Sequence, residues 1–386
     1  MKALPYYIAT LLALTVIPGR SQTPAFTPGA HVGFAGDTSQ LLSSAPVSIT
    51  ELTTTFSVIA LTISPKGAFT ISATFGNEKF SGKGTVGAEG QISAALTTRK
   101  RPETLDINLA NSGNGTLVGT IGSSGWSRTY TAIVNASSYS KKDPYDAPTK
   151  FTMWSQIDYE GLYAAHGLPF GTSAFVGQIS ESGAVKIAGR TANGDTVTIS
   201  TILWKVAGNK PVFSFCPPKQ GAWGFTGWMR PSTSETVDWE GRIAWKPKEF
   251  GQIYQAPAFA SRYTPPPKGA LPLDWTGGGN ATVEALQVMT SGMTRQILST
   301  PMSVSGTFNP KGAFVATTSN DIDLKLAVAP STGKISGSFV APGTSEKVPI
   351  YGVVNGKTSE GSGFFWKRLR TTSDIGKAAT GRLVME

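Results

Sequence analysis

Apolar and polar residues alternate along most of this chain with a period of two, in short runs broken by Gly, Asn, Ser or Pro, and an amphipathic-helix spacing is almost absent. The stretch SAFVGQISESGAVKIAGRTANGDTVTISTILWKV shows the grammar. Ala174, Val176 and Gln178 share one face of a strand, Ser182-Gly183 turns it, and Val185, Ile187 and Gly189 share one face of the next. Asn193-Gly194 then supplies the positive φ of a tight hairpin, and Val197, Ile199 and Leu203 open a third run. Strands joined by turns this short are antiparallel neighbours, because a parallel pairing needs a long crossover. GAFTISATFGNEKFSGKGTVGAEGQISAAL and GKISGSFVAPGTSEKVPIYGVVNGKTSEGSGFFW repeat the grammar towards the two ends. The pattern predicts an all-β protein of antiparallel up-and-down meanders forming two or three small barrels or sandwiches.

Two stretches echo each other, ISPKGAF from Ile63 and FNPKGAF from Phe308. Pro presets φ at a corner, Lys points into water, Gly takes the positive-φ position and Phe begins the next strand's buried face. Phe69 and Phe314 are therefore expected inside, with Lys66 and Lys311 outside. No acid, histidine or amide accompanies the echo at matching places, so it reads as a structural repeat rather than a duplicated site. Breaks in the meander set the units. Ser137 to Lys150 carries prolines and mixed charge without alternation, and Lys246 to Pro272 is proline-rich, which forbids a continuous ladder. The expected division is a leader at 1–21, modules at 28–136, 156–250 and 272–386, a linker at 137–155 and a connector at 251–271, with the second and third modules able to share a core.

FVGQISESGAVKIAGRTANGDTVTISTIL, VDWEGRIAWKPK, SRYTPPPKGALPLDW and LAVAPSTGKISGSFVAPGTSEKVPIYGVVNGKTSEGSGFFW, in that order, resemble the glycine-rich β-strand modules of secreted and surface proteins from planctomycete and verrucomicrobial bacteria. The likeness runs from about Ile63 to Trp366. It implies a surface or secreted β-module and assigns no reaction, cofactor or ligand. The ending KRLRTTSDIGKAATGRLVME is more basic than that pattern, which puts its last strand in doubt.

The N-terminus has one Lys, an apolar run from Leu4 to Ile17, then Gly19 and Ser21, the layout of a secretory signal peptide with a mature start near Gln22; an uncleaved anchor is the alternative. Secreted, periplasmic or cell-surface placement follows, with no stable membrane span once the leader is removed. The single cysteine, Cys216, excludes a disulfide within the chain, so stability rests on packing and sheet hydrogen bonds. Charged residues make up 15% of the chain and the formal charge is +10, falling to +8 without Lys2 and Arg20. That balance favours polyanions and names no partner. Its densest cluster, Arg99 to Arg101, reads as a solvated hairpin end, with a phosphate or acidic-glycan contact as the lesser reading; no nucleic-acid partner is expected.

Candidate chemistry is sparse. Two histidines, His31 and His166, and one cysteine are too few for an imidazole–thiolate metal site without carboxylates, and neither histidine adjoins a nucleophile elbow. His166 reads as a loop residue and Cys216 as a small buried side chain. No metal and no cofactor is expected; Ser319 to Leu324 is at most a calcium-compatible turn. Paired carboxylates could serve a glycosidase. Asp158 with Glu160 and Asp238 with Glu240 have the i, i+2 spacing that places them on one face of a strand, roughly 7 Å apart. In VDWEG, however, Val237, Trp239, Gly241 and Ile243 form the apolar face, which leaves Asp238 and Glu240 as the wet face. Five of nine tryptophans fall between 204 and 245. Trp223, Trp239 and Trp245 share parity with apolar neighbours and read as core. Trp204 and Trp228 take the opposite parity, so either they form a flat sugar-stacking platform or, as the other reading, they pack against an adjoining unit or a bulge switches the faces of one strand. The function expected is a non-enzymatic β-module protein with a structural or binding role at a surface, its partner a polysaccharide or other surface polymer. An outer-membrane β-barrel and a carbohydrate-active hydrolase are the alternatives, and the oligomeric state stays open.

Overall fold

A computed structural model of the chain describes residues 26–36, 57–75, 78–100, 102–112, 116–123, 130–135, 139–156, 171–206, 210–215, 223–246, 254–270, 273, 278–289, 295–297, 301–340, 345–368 and 377–386. The expected all-β class holds, and the meanders curl into three successive barrel-like sheets.

The first sheet contains β1 (Gly29–Gly36), β2 (Ser57–Ile63), β3 (Ala68–Phe75), β4 (Glu78–Thr85), β5 (Ile92–Thr97), β6 (Thr104–Asn111), β7 (Thr116–Gly122) and β8 (Tyr130–Asn135). Each strand pairs antiparallel with the next, and β1 meets β8 through Gly33↔Val134 and Phe34↔Ile133, closing the barrel. The second contains β9 (Thr149–Gln156), β10 (Thr172–Ile179), β11 (Ala184–Arg190), β12 (Thr196–Ile202), β13 (Trp204–Val206), β14 (Lys210–Phe215), β15 (Trp223–Pro231), β16 (Trp239–Lys246) and β17 (Tyr254–Arg262). Its first and last strands pair through Phe259↔Trp154 to Arg262↔Phe151. The ends of its strand path, β12 and β13, are consecutive stretches of chain separated only by Leu203, and Thr201 Oγ1 donates to Ser214 O (2.6 Å) across the seam. The third contains β18 (Gly279–Met289), β19 (Arg295–Ile297), β20 (Met302–Phe308), β21 (Phe314–Ala316), β22 (Lys325–Ala329), β23 (Lys334–Val340), β24 (Lys347–Val354), β25 (Gly361–Arg368) and β26 (Lys377–Met385). Here β18 pairs β26, and a bridge between Ala313 and Ala327 joins the two ends.

Two expectations are corrected. Lys150 to Ser155, placed in a linker, belongs to β9, and Tyr254 to Arg262, placed in a connector, forms β17. Pro257 is accommodated because the ladder from β17 to β9 begins only at Phe259; beyond it the Pro257 carbonyl accepts the Ser155 hydroxyl (2.8 Å).

Period-two alternation explains the interiors. Ile59, Leu61, Phe69, Ile71, Leu105 and Ile107 meet inside the first barrel. Phe151, Phe175, Ile187, Phe213, Phe225 and Trp239 fill the second, and Val304, Phe308, Leu326, Ile335, Phe339 and Phe365 the third. Phe69 is buried and Lys66 and Lys311 are exposed; Phe314 is half-buried, its ring 5.4 Å from Phe308.

The echoed letters mark a five-residue corner that also closes Gly87–Gln91 and Thr191–Asp195; three copies, one in each barrel, between β2 and β3, β10 and β11, and β20 and β21, make a further carbonyl contact. In Ser64–Ala68, Ser180–Ala184 and Asn309–Ala313 the first residue's N–H donates to the carbonyl of the Ala, and the glycine N–H donates back to the first residue's carbonyl, all at 2.8–3.0 Å. The middle copy has Glu-Ser where the others have Pro-Lys, which hid it in the sequence. The glycines, Gly67, Gly183 and Gly312, sit at φ +81°, +74° and +84°. Each glycine carbonyl then accepts a backbone N–H from the chain at the far side of the next hairpin, from Val86 (2.8 Å), Leu203 (2.7 Å) and Val328 (2.8 Å). One corner thus satisfies its own backbone and fixes where the following hairpin ends.

At Gly312 an added Cβ would lie 2.0 Å from Val328 O, whereas at Gly269, also left-handed at φ +89°, nothing lies within 4 Å. Gly312→Ala should therefore destabilise by ~2 kcal/mol or more and Gly269→Ala by only ~1 kcal/mol, read from urea unfolding. Equal losses would remove the steric role assigned to the corner.

Candidate functional site

Trp204 and Trp228 are 0% and 1% exposed. They lie on the outer face of the second barrel, as their parity requires, with cross-strand pairs Trp204↔Val212, Ser214↔Trp228 and Trp228↔Arg242 building that face. Phe34, with Val32 and Val118 of the first barrel, covers them in one apolar cluster with Val212 and Ala244. The stacking platform is thus corrected: these indoles form a contact between barrels, the second of the two readings left open above. Parity fixed the face and could not show what covers it.

Asp238 and Glu240 do not open onto a shared cleft either. Glu240, expected in water, is 8% exposed because Arg230 from the neighbouring strand holds its Oε1 with Nη2 (2.7 Å) and Nε (3.1 Å). Both charges are sequestered, so the pair is held by mutual compensation, and removing one partner would strand the other. Asp238 Oδ2 accepts from the Arg262 N–H (2.6 Å), while Oδ1 pairs with Lys357 Nζ (3.2 Å) of the third barrel. These are structural tasks. Trp239 is interior, as expected. Asp158, Glu160, His166 and Cys216, and the side chains of Trp223 and Trp245, lie outside the described residues. In the Ser319–Leu324 turn, Asn320 Oδ1 is taken by the Leu324 N–H (2.6 Å), Ser319 donates to Asp321, and Asp323 pairs with Lys325 (3.1 Å). Among the described residues no group of three or more His, Cys, Asp or Glu could hold a metal ion.

A different site emerges where the second and third barrels meet. Alternation along β11 turns Val185 and Ile187 inward, so Lys186, Ala188 and Arg190 face outward, beside Thr196, Thr198 and Ser200 of β12 and Val176 and Gln178 of β10. The third barrel raises a wall against this floor with Lys334, at the start of β23, and Tyr351 of β24. Two adjoining clefts result, of about 260 Å³ between Arg190, Thr196, Lys334 and Tyr351 and about 340 Å³ between Lys150, Lys186, Thr198 and Thr332. Four cations and, among the described residues, no carboxylate line them.

Arg190 is oriented before any ligand arrives. Its guanidinium carbon stands 4.5 Å above the Tyr351 ring centre, its Nη1 donates to Gly194 O (3.0 Å), and Tyr351 stacks on Phe364 at 5.6 Å. The barrels are pinned together around the groove. Thr152 Oγ1 donates to Val354 O (2.6 Å), the Gly356 N–H to Ser261 Oγ (2.8 Å), and Tyr263 OH to Pro330 O (2.8 Å). Lys150 Nζ donates to Ser331 O (3.3 Å) at one edge. Burial pushes the Tyr263 hydroxyl above its usual range, which keeps it a donor at neutral pH. The outward cations of β11 were readable from parity; that Lys334 and Tyr351 would oppose them depends on how the barrels dock.

No family model matches the chain, and no curated protein matches it. Among solved structures, a double mutant of the vaccine antigen transferrin binding protein B (TbpB) from Haemophilus parasuis Hp5 is matched over 92% of this chain and 74% of that chain, at 8% identity and a TM-score of 0.26. Intact Ap-TbpB, with N and C lobes, is matched over 94% and 77% at 10% identity and a TM-score of 0.21. The isotype 1 TbpB from serogroup B Neisseria meningitidis is matched over 94% and 77%, at 10% identity and a TM-score of 0.23. TM-scores this low carry no argument about what this chain does.

Trp228→Ala should lower stability by ~3–5 kcal/mol, as removal of a fully buried aromatic does. An indole that iodide quenches freely, together with unchanged stability, would overturn its burial. His31 gives a pH test. It is 3% exposed inside the first barrel, its Nε2–H donates to Thr27 O (2.8 Å), and its buried Nδ1 has no hydrogen-bond partner. Burial lowers its pKa below the ordinary value of 6.5. The neutral ring is thus favoured on folding, so its contribution is complete above pH 6.5 and is lost as pH falls from there towards the depressed folded value. Thermal melts between pH 8 and pH 5 should show this loss, and His31→Leu should flatten it.

Proposed function

We propose that this chain is a non-enzymatic binding protein of the cell surface or extracellular space, and that the groove between its second and third barrels takes an acidic polysaccharide. One observation carries the reading: Lys150, Lys186, Arg190 and Lys334 converge on two adjoining clefts that no carboxylate among the described residues lines, beside hydroxyls and an aromatic ring. Cations placed around a cleft raise the local concentration of a polyanion, and Ser, Thr and Gln side chains supply donors and acceptors matched to sugar hydroxyls. A net charge of +10 adds long-range attraction.

The alternatives fit less well. The described interiors are filled with apolar side chains, whereas outward positions such as Thr62, Thr70, Lys83 and Thr97 are polar and exposed, the reverse of a lipid-facing barrel. No helix of the described residues is long and apolar enough to cross a membrane. A hydrolase would need two carboxylates facing a cleft, and among the described residues the candidate pair Asp238 and Glu240 is held by Lys357, the Arg262 amide and Arg230 instead.

Retention on heparin and polygalacturonate gels tests the reading, with dextran as the neutral control. The double variant Lys186→Glu/Lys334→Glu should weaken affinity for the acidic gels about tenfold at low salt, through loss of exposed charge pairs worth ~0.7 kcal/mol each, with no fall in melting temperature. Equal retention of wild type and variant would overturn it, and release of reducing sugar from either polymer would overturn the non-enzymatic part.

A further inference from the structure

The threefold corner puts the barrels on a common frame. With Ser64–Ala68 matched to Ser180–Ala184, residues 60, 62, 70 and 72 of the first barrel correspond to 176, 178, 186 and 188 of the second. With Val86 matched to Leu203, the anchors on the glycine carbonyls, 79, 81 and 83 correspond to 196, 198 and 200. The second set is the groove floor. The first set is therefore its counterpart on the first barrel, in a stretch to which nothing above gives a function.

A cleft lies at that counterpart. Ala60, Thr62, Thr70, Ser72, Lys79, Ser81, Lys83, Ala95 and Thr97 bound a depression of about 750 Å³ on the outer face of β2 to β5. It exists because β4 and β5 diverge: they share the single pair Ser81↔Thr97, whereas β3 and β4 share a ladder from Ala68↔Thr85 to Phe75↔Glu78. Lys79 and Lys83 flank Ser81 on one face of β4, and Thr62, Thr70 and Ser72 carry hydroxyls towards the same side. Among the described residues no carboxylate lines the cleft; Asp106, the cross-strand partner of Ala95, stands one strand beyond it.

The geometry points to a second polyanion site on the first barrel, in which Lys79 and Lys83 take the acidic groups of a polysaccharide and the hydroxyl rows of β2, β3 and β5 take its sugar hydroxyls. It differs from the groove in having no aromatic ring and no opposing barrel, so it should bind the same class of ligand more weakly. The inference rests on the function proposed above in the class of ligand alone, since its residues, strands and cleft are separate. Two sites on one chain would also give long polymers an avidity that short ones lack.

Titration calorimetry with a defined oligogalacturonate, and with a heparin oligosaccharide of similar length, reads the number of sites. Wild type should bind two ligands per chain, the weaker about tenfold below the stronger. Lys79→Glu/Lys83→Glu should remove only the weaker event and Lys186→Glu/Lys334→Glu only the stronger; all these lysines are exposed, and unchanged melting temperatures check the folds. Asp106→Asn should strengthen the weaker event. A single event abolished by the groove variant and untouched by Lys79→Glu/Lys83→Glu would overturn the second site and leave the groove standing. A single event with the opposite pattern would support the first-barrel site and overturn the groove. No binding of either oligosaccharide overturns both.

Discussion

Each barrel depends on its first strand finding its last. Up-and-down pairing between sequence neighbours is local and forms from the turns alone, but it leaves two bare edges that either close on each other or recruit another chain. Here β1 meets β8, β9 meets β17 and β18 meets β26. With one cysteine in the chain, no disulfide within it can hold those contacts, so register and core packing alone secure them. The repeated glycine corner assists by fixing the end of the hairpin that follows it, so that a slip of one residue would both break the carbonyl contact and turn the apolar face outward.

Closure has a consequence outside the barrels. Alternation sends every second residue outward, and a closed wall leaves those residues only two fates. Large aromatic ones are covered by another barrel, as Phe34 covers Trp204 and Trp228, while an isolated aliphatic one such as Val315 stays exposed. Polar ones either join a docking network, as Thr152, Ser261 and Asp238 do, or remain open, as Lys186 and Lys334 do. The clefts proposed for binding therefore lie between or upon the barrels, where charge can stay hydrated, and the interiors contribute rigidity.

The same division explains what the sequence could convey. Parity within a strand is a local property, and it correctly turned Phe69 and Trp239 inward and Trp204 and Trp228 outward. The short turn residues announced the meander and its hairpins. What covers an outward residue is decided by contacts between units far apart in sequence, such as Thr152 with Val354 or Arg190 with Tyr351. Glu240 shows the limit most clearly: its parity placed it on the wet face, yet Arg230 one strand away made burial tolerable. The strand β17 was obscured for another reason, since prolines argue against a ladder only where an amide must donate, and Pro257 lies beyond the paired stretch with β9.

The three copies of the corner separate constraint from freedom. Residues that follow the glycine alternate between a core that must stay apolar and an outer face that need only stay soluble. At equivalent outward positions the barrels carry Thr70, Lys186 and Val315, the last being 49% exposed. Neighbouring outward positions carry Ser72, Ala188 and Thr317. A common frame with such dissimilar outer residues is what results when folding fixes the inner face and leaves chemistry to the other. The second barrel has a cation at the first of these positions and a small residue at the next, an arrangement that suits the proposed polymer by leaving room at the sheet and a charge at the rim. The third has an apolar side chain there and, with Val86 matched to Val328, carries Asp321 and Asp323 where the first barrel has Lys79 and Ser81, so the acidic-polymer chemistry argued for the other two barrels does not extend to that face.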